Sequence, residues 1–135
     1  MTRIYEELLE EAKLAARNSY SPYSCFPVGA CALYESGNKY TGCIVENVSY
    51  GLALCAERNA ISNAIAQGEK TKIVAIAVYS TKQTRCLPCG ACRQWMNEFA
   101  INSTDMKVIL EDDNKNPLIL TLEDIFPYEF KMTNN

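Results

Sequence analysis

Two short stretches of the chain carry side chains able to do chemistry. In "LCAERNA", residues 54–60, Cys55 stands two positions ahead of Glu57, and in "LPCGACRQ", residues 87–94, Cys89 stands three positions ahead of Cys92. The chain has no histidine, so the side chain that most often serves as acid, base and zinc ligand is unavailable. Cysteine and carboxylate must supply those roles. A C-x-x-C spacing lets two thiolates reach one metal ion, and Cys55 becomes a third ligand if both stretches open helices that meet. Three protein ligands leave one tetrahedral position of zinc free for water, which marks a catalytic rather than a structural site. Zinc lowers the pKa of such a water to about 7, and a nearby carboxylate that is not itself a ligand can take the proton and hand it on. Glu57 is spaced for that part. Arg58, the next residue, is placed to hydrogen-bond the thiolates and offset their charge.

Two plainer readings stand beside this one. A C-x-x-C pair is also a redox dithiol, normally following a strand in a thioredoxin-like unit. Cys86, three residues before Cys89, would close a four-thiolate structural zinc site. Glu57 discriminates, since a closed structural site has no use for a carboxylate there. Cys25, Cys31 and Cys43 read as small buried hydrophobes.

The elements that must position these residues follow from periodicity and punctuation. Residues 2–18 form a helix, with Ile4, Leu8, Ala12, Ala15 and Ala16 on one face. "SYSPYSCFP" breaks it as an ordered loop, and "VGACALY" and "YTGCIVEN" form a hairpin around "ESGNK". "CAERNAISNAIAQG" is a helix closed by Gly68, and "KIVAIAVYS" is an apolar run of strand length, the pattern of a central strand covered on both faces. A third helix runs from near Cys89 to about Ala100, "MKVIL" and "PLILT" are two more strands, and "TLEDIFP" is a short helix opened by Thr121 with Asp124 three positions on. The order predicts an α/β fold with a mixed five-stranded sheet between helical layers. Both chemical stretches then sit at helix N-termini, whose unpaired N–H groups favour thiolate over thiol.

Composition bounds the rest. The 135 residues suit one domain spanning 1–135, and 48% apolar with 21% charged residues is ordinary globular usage. Thirteen Lys and Arg against sixteen Asp and Glu give a net charge of -3 without a basic run, which argues against a nucleic-acid partner. The N-terminus "MTRIYEELLEEAK" is acidic and amphipathic, unlike a signal peptide, and no apolar stretch approaches the about 18 residues of a membrane span. The expectation is a soluble cytoplasmic protein with no membrane association. Seven cysteines in a reducing compartment point to metal, catalysis or burial rather than disulfides.

A proton carrier beside an activated water suits attack on an amidine-like carbon such as C4 of a cytosine, where the ring nitrogen and then the departing amine must be protonated. At this point "CAERNA" with "PCGACRQ" resembles the zinc-dependent cytidine deaminase family, in its small form with three cysteine ligands. The resemblance covers nearly the whole chain: "YSPYSCFPVGA" is similar to the family's substrate-side loop and first strand, "GCIVENVSYG" to its ribose-contacting strand end, and "IFPYEF" to its C-terminal segment. It implies a three-layer α/β/α sandwich. It also implies one zinc ion per chain on Cys55, Cys89 and Cys92, and Glu57 as the general acid/base. Phe26, Glu46, Asn47, Ala56 and Phe130 become substrate contacts, with Phe26 against the base or sugar and Glu46 on a ribose hydroxyl. Arg58 and Gln94 support the metal ligands from behind. The implied assembly is a homotetramer in which Phe130 stacks on a base bound by a neighbouring subunit, with Tyr50 and Trp95 as further candidates for subunit contacts.

The implied reaction is hydrolytic deamination of a free pyrimidine nucleoside, cytidine or deoxycytidine, to the uracil nucleoside and ammonia, as in pyrimidine salvage. The rivals are a deaminase of a related aminopyrimidine such as blasticidin S or a modified cytidine, a polynucleotide editor, and a non-catalytic zinc module. Two positions depart from the family pattern. Ile44 stands where an Asn commonly contacts the sugar, and Leu87 stands where a small or polar residue is frequent. A ribose hydroxyl near Ile44 must then be satisfied by Glu46, Asn47 or water.

Overall fold

The computed structural model describes residues 2–132; Met1 and residues 133–135, which the expected domain span includes, lie outside them. The elements run α1 (Thr2–Ala16), β1 (Gly29–Tyr34), β2 (Lys39–Cys43), α2 (Ala56–Ala66), β3 (Ile73–Tyr79), α3 (Gly90–Phe99), β4 (Lys107–Glu111), β5 (Pro117–Thr121) and α4 (Leu122–Ile125). The five strands make one sheet in the order β2-β1-β3-β4-β5. The β3–β4 pair is parallel and the other pairs are antiparallel, so the sheet is mixed as expected.

Strand alternation divides the core into two layers. Ala30, Ala32 and Tyr34 of β1, Ile76 and Val78 of β3, and Val108 and Leu110 of β4 face α2, α3 and α4. Cys31, Ala75, Ala77 and Ile109 face the other way, onto Leu8, Leu9 and Ala12 of α1. β3 is covered on both sides, the reason its sequence is continuously apolar rather than alternating. No described helix is long and apolar enough to cross a membrane.

Two close approaches fix the helices on the sheet. A Cβ on Gly29 would lie 2.0 Å from the Ala12 carbonyl of α1, and one on Gly42 would lie 2.3 Å from the Ala60 amide of α2. Only hydrogen fits at either place, so backbone packs on backbone. At the far end, Thr121 and Asp124 close a complete capping box on α4, through bonds of 3.1 and 2.9 Å.

Three details differ from expectation. α1 ends at Ala16 rather than residue 18, because Arg17 and Asn18 turn back onto the carbonyls of Leu14 and Ala15. β2 ends at Cys43, and residues 44–47 leave the sheet: Tyr20 donates to the Ile44 carbonyl, and Val45 and Leu54 exchange backbone bonds. Of the cysteines expected to be small buried hydrophobes, Cys31 is buried and Cys43 partly so, but Cys25 is exposed with φ +56°. Cys25 closes a turn in the 19–27 loop, where the left-handed backbone points its side chain outward.

Candidate active site

The two chemical stretches do open helices, and the helices meet. Cys55 and Cys89 are the N-caps of α2 and α3, both with extended backbone. Cys92 follows in the first turn of α3 and is fully buried. The three Sγ atoms lie within 4.8 Å of one another. The Cys55 and Cys89 sulfurs stand 3.8 Å apart. Two thiolates bound at about 2.3 Å to one tetrahedral zinc would be separated by about 3.8 Å, so this donor set fits zinc in both chemistry and span. Cys86 is buried nearby but falls outside the three-thiol cluster.

Charge at the cluster is balanced locally. The Cys55 thiol is held well below its ordinary range because its thiolate accepts from Cys92 and then from the Arg58 guanidinium. Cys92, which donates to that thiolate and is buried, is held above its ordinary range. Arg58 Nη2 reaches Cys55 Sγ at 3.4 Å, the relation its spacing of three residues predicts on one helical face.

Glu57 is only 3% exposed, the most buried carboxylate among the described residues. Burial, reinforced by the Cys55 charge, raises its carboxyl to about 7, where it can both hold and release a proton near neutrality. It lies beside the sulfurs without belonging to the cluster. Both groups open onto a cavity of about 190 Å³ walled by Phe26, Val28, Ile44, Ala56, Cys86 and Leu87. Apart from the thiols and Glu57, that wall is apolar, as the walls of small-molecule sites mostly are.

Glu46 and Asn47 sit elsewhere, lining a larger cavity of about 350 Å³ with Tyr23, Ser24, Tyr50 and Ala53. The Glu46 carboxylate accepts from the Ser24 hydroxyl and from the amides of Tyr23 at 3.0 Å and Ser24 at 3.2 Å. These bonds, the Ser24 hydroxyl first, hold it below the usual carboxylate range. Asn47 accepts from the Ser49 amide at 2.9 Å. Ile44 of the smaller cavity and Glu46 of the larger lie two residues apart on one segment, so the two spaces flank the same backbone.

Phe130 is 68% exposed and is not among the residues that wall the thiol cavity of its own chain. Gln94 donates its amide to the Phe130 carbonyl at 2.9 Å rather than to a cysteine. Trp95 and Tyr50 are exposed, as subunit-contact candidates would be.

Three residues important to the site's geometry carry no sequence signal of their own. Ser24 restrains Glu46. Asn59 donates to the Cys43 carbonyl at 2.8 Å, tying α2 to the end of β2. Arg93 donates to the carbonyls of Pro88 and Ile125. Arg93 stands within "PCGACRQ", where nothing indicates these partners.

The chain is similar to known proteins in sequence and in fold. Residues 2–108 match the family described as the cytidine and deoxycytidylate deaminase zinc-binding region. The chain is 40% identical over 123 residues to a cytidine deaminase of Halalkalibacterium halodurans, covering 91% of each chain. It is 44% identical over 98 residues to one of Sporosarcina psychrophila, covering 73% of this chain and 71% of that one. Among solved structures, cytidine deaminase from Burkholderia pseudomallei superposes with a TM-score of 0.83 at 38% identity, covering 93% of this chain and 98% of the other. The enzyme from Mycobacterium tuberculosis gives 0.81 at 37% identity, covering 95% and 98%.

Proposed function

The chain belongs to the cytidine and deoxycytidylate deaminase family, and from that premise we propose that it hydrolyses free cytidine or deoxycytidine to uridine or deoxyuridine and ammonia. The observation that carries the proposal is a three-thiol cluster spanning less than 4.8 Å with one buried carboxylate beside it and outside it. Cys55, Cys89 and Cys92 would hold one zinc ion, and a zinc so held supplies an activated water at neutral pH.

This chain's own residues do the rest. Glu57, with its carboxyl near 7, receives a proton and delivers it to the ring N3 of the base, then carries a second to the departing 4-amino group. Arg58 limits the negative charge of the three thiolates, which would otherwise be costly to bury. Phe26 and the first residue of α2, Ala56, shape the cavity that takes the ring. Glu46 and Asn47 line the neighbouring space, where a sugar hydroxyl would donate to the carboxylate. Gln94 acts through Phe130.

We infer further that the working unit is a cytoplasmic homotetramer serving pyrimidine salvage, with each chain folding as one domain. Val48, Tyr50, Leu52, Tyr128 and Phe130 are exposed apolar side chains, a costly arrangement in an isolated chain, which association would relieve. A competing substrate class, an aminopyrimidine such as blasticidin S or a cytidine with an added apolar substituent, is favoured only by Ile44 and Leu87 in the cavity wall. Absorbance assays of the zinc-loaded protein on a panel of these compounds decide the matter. Turnover of cytidine and deoxycytidine is expected, and inactivity on both with turnover of another member would move the assignment to that compound.

A further inference from the structure

Among the described residues Arg93 is a cation bonded to no anion. Its guanidinium is half-buried against two neutral carbonyls. Its Nε donates to Pro88 at 2.7 Å and its Nη1 to Ile125 at 2.6 Å, both short and charge-assisted. Pro88 immediately precedes Cys89, and Ile125 is the last residue of α4. The two carbonyls therefore belong to the metal-ligand turn and to the segment leading into the C-terminus. The next residue, Gln94, holds the Phe130 carbonyl at 2.9 Å. This is the one hydrogen bond that ties residues 127–132 to the rest of the chain among the described residues.

We propose that Arg93, with Gln94, is a positioning latch that makes the Cys89 ligand turn and the Phe130 segment one mechanical unit, so that the geometry of the metal ligands and the placement of the C-terminal aromatic are set together. The planar guanidinium is suited to this because it holds two acceptors in fixed directions at once. Loosening it frees the Cys89 turn and the end of α4 together. The kinetic part of the proposal rests on the deaminase reading; the mechanical part does not.

The test uses full-length Arg93→Met, Arg93→Lys and Gln94→Met proteins, each compared with the parent. Four properties are measured: zinc retention against a chelator, the visible spectrum of the cobalt-substituted protein, hydrogen exchange of residues 122–132, and kcat and KM for cytidine. Arg93→Met is expected to weaken zinc retention about 10- to 100-fold, the usual cost of losing a group that orients a ligand. It should also alter the cobalt bands, raise exchange throughout 122–132 and lower kcat. Arg93→Lys should recover part of each loss. Gln94→Met should raise exchange only around residues 128–132 and raise KM, with the cobalt bands unchanged. Parent-like cobalt bands and exchange in Arg93→Met overturn the proposal. If that variant does not fold, the same result in Arg93→Lys overturns it. If no protein deaminates cytidine while the metal and exchange changes appear together, the latch stands and the substrate assignment falls.

Discussion

The Arg58 guanidinium contacts Cys55 Sγ at 3.4 Å, while its own Nε is buried without a hydrogen-bond partner among the described residues. A buried donor left unpaired is costly, and the cost is accepted where the charge stabilises something else. Here that is a thiolate held well below its ordinary range. Arg58→Gln should therefore bind zinc about 10- to 100-fold more weakly. Competition with a chromogenic chelator measures this directly, and undiminished affinity would show that the contact is incidental.

On the proposed mechanism, Glu57→Gln keeps the shape of the site and removes its proton carrier. The variant is expected to retain one zinc per chain and to lose about 10⁴-fold or more in kcat, the upper end of what one general acid/base contributes, because the same residue serves successive transfers. Metal analysis and a turnover assay on the same sample provide the check. A zinc-loaded variant with near-normal turnover would falsify the mechanism.

Phe130 stands exposed and outside the wall of its own chain's thiol cavity. If it completes a neighbour's site, Phe130→Ala should raise KM severalfold at unchanged zinc content. Sedimentation of the parent should show about four chains, consistent with the closed symmetry of homo-oligomers. A fully active monomer at assay concentration contradicts this arrangement.

Gly42 allows the contact between β2 and α2, since a Cβ there would lie 2.3 Å from the Ala60 amide and 2.6 Å from the Ala56 carbonyl. Neither atom belongs to a flexible side chain, so α2 must move. Gly42→Ala should destabilise the fold by about 1–3 kcal/mol or more, as overpacking does. Because α2 carries Cys55 and Glu57, turnover should fall with stability. Thermal unfolding and activity of one preparation test both, and a parent-like melting curve would refute the packing argument.

Glu69 predicts the acid limb of stability. Its carboxylate accepts from Thr71, Tyr40, Asn38 and Ser36, and is held down to about 2 from its ordinary 4.5. In the unfolded chain it protonates first as pH falls. Stability from this group is therefore complete above about pH 4.5 and is lost between there and about pH 2. Glu69→Gln should be less stable at neutral pH, because its amide NH₂ meets donors, and its stability should vary less steeply over that window. Denaturant titrations at several pH values provide the comparison; an unchanged acid slope would remove Glu69 from the account.

Much of this protein is legible along the chain because its determinants are local. The apolar face of α1, the continuous run of β3, the Thr121 and Asp124 cap and the C-x-E and C-x-x-C spacings all act within a few residues. Local propensity and reach fix them before any distant segment arrives. The same holds for Arg58, one helical turn beyond Cys55. The tertiary structure decided what depends on pairs far apart in sequence. It brought Cys55 within 3.8 Å of Cys89, seated Gly42 under Ala60, placed Glu46 with Ser24 rather than beside the thiols, and directed Arg93 and Gln94 to residues 88, 125 and 130. A side-chain donor satisfied by a distant backbone carbonyl leaves no mark in sequence, since every residue offers the same carbonyl. The fold chooses among them, and here it chose those of Pro88, Ile125 and Phe130.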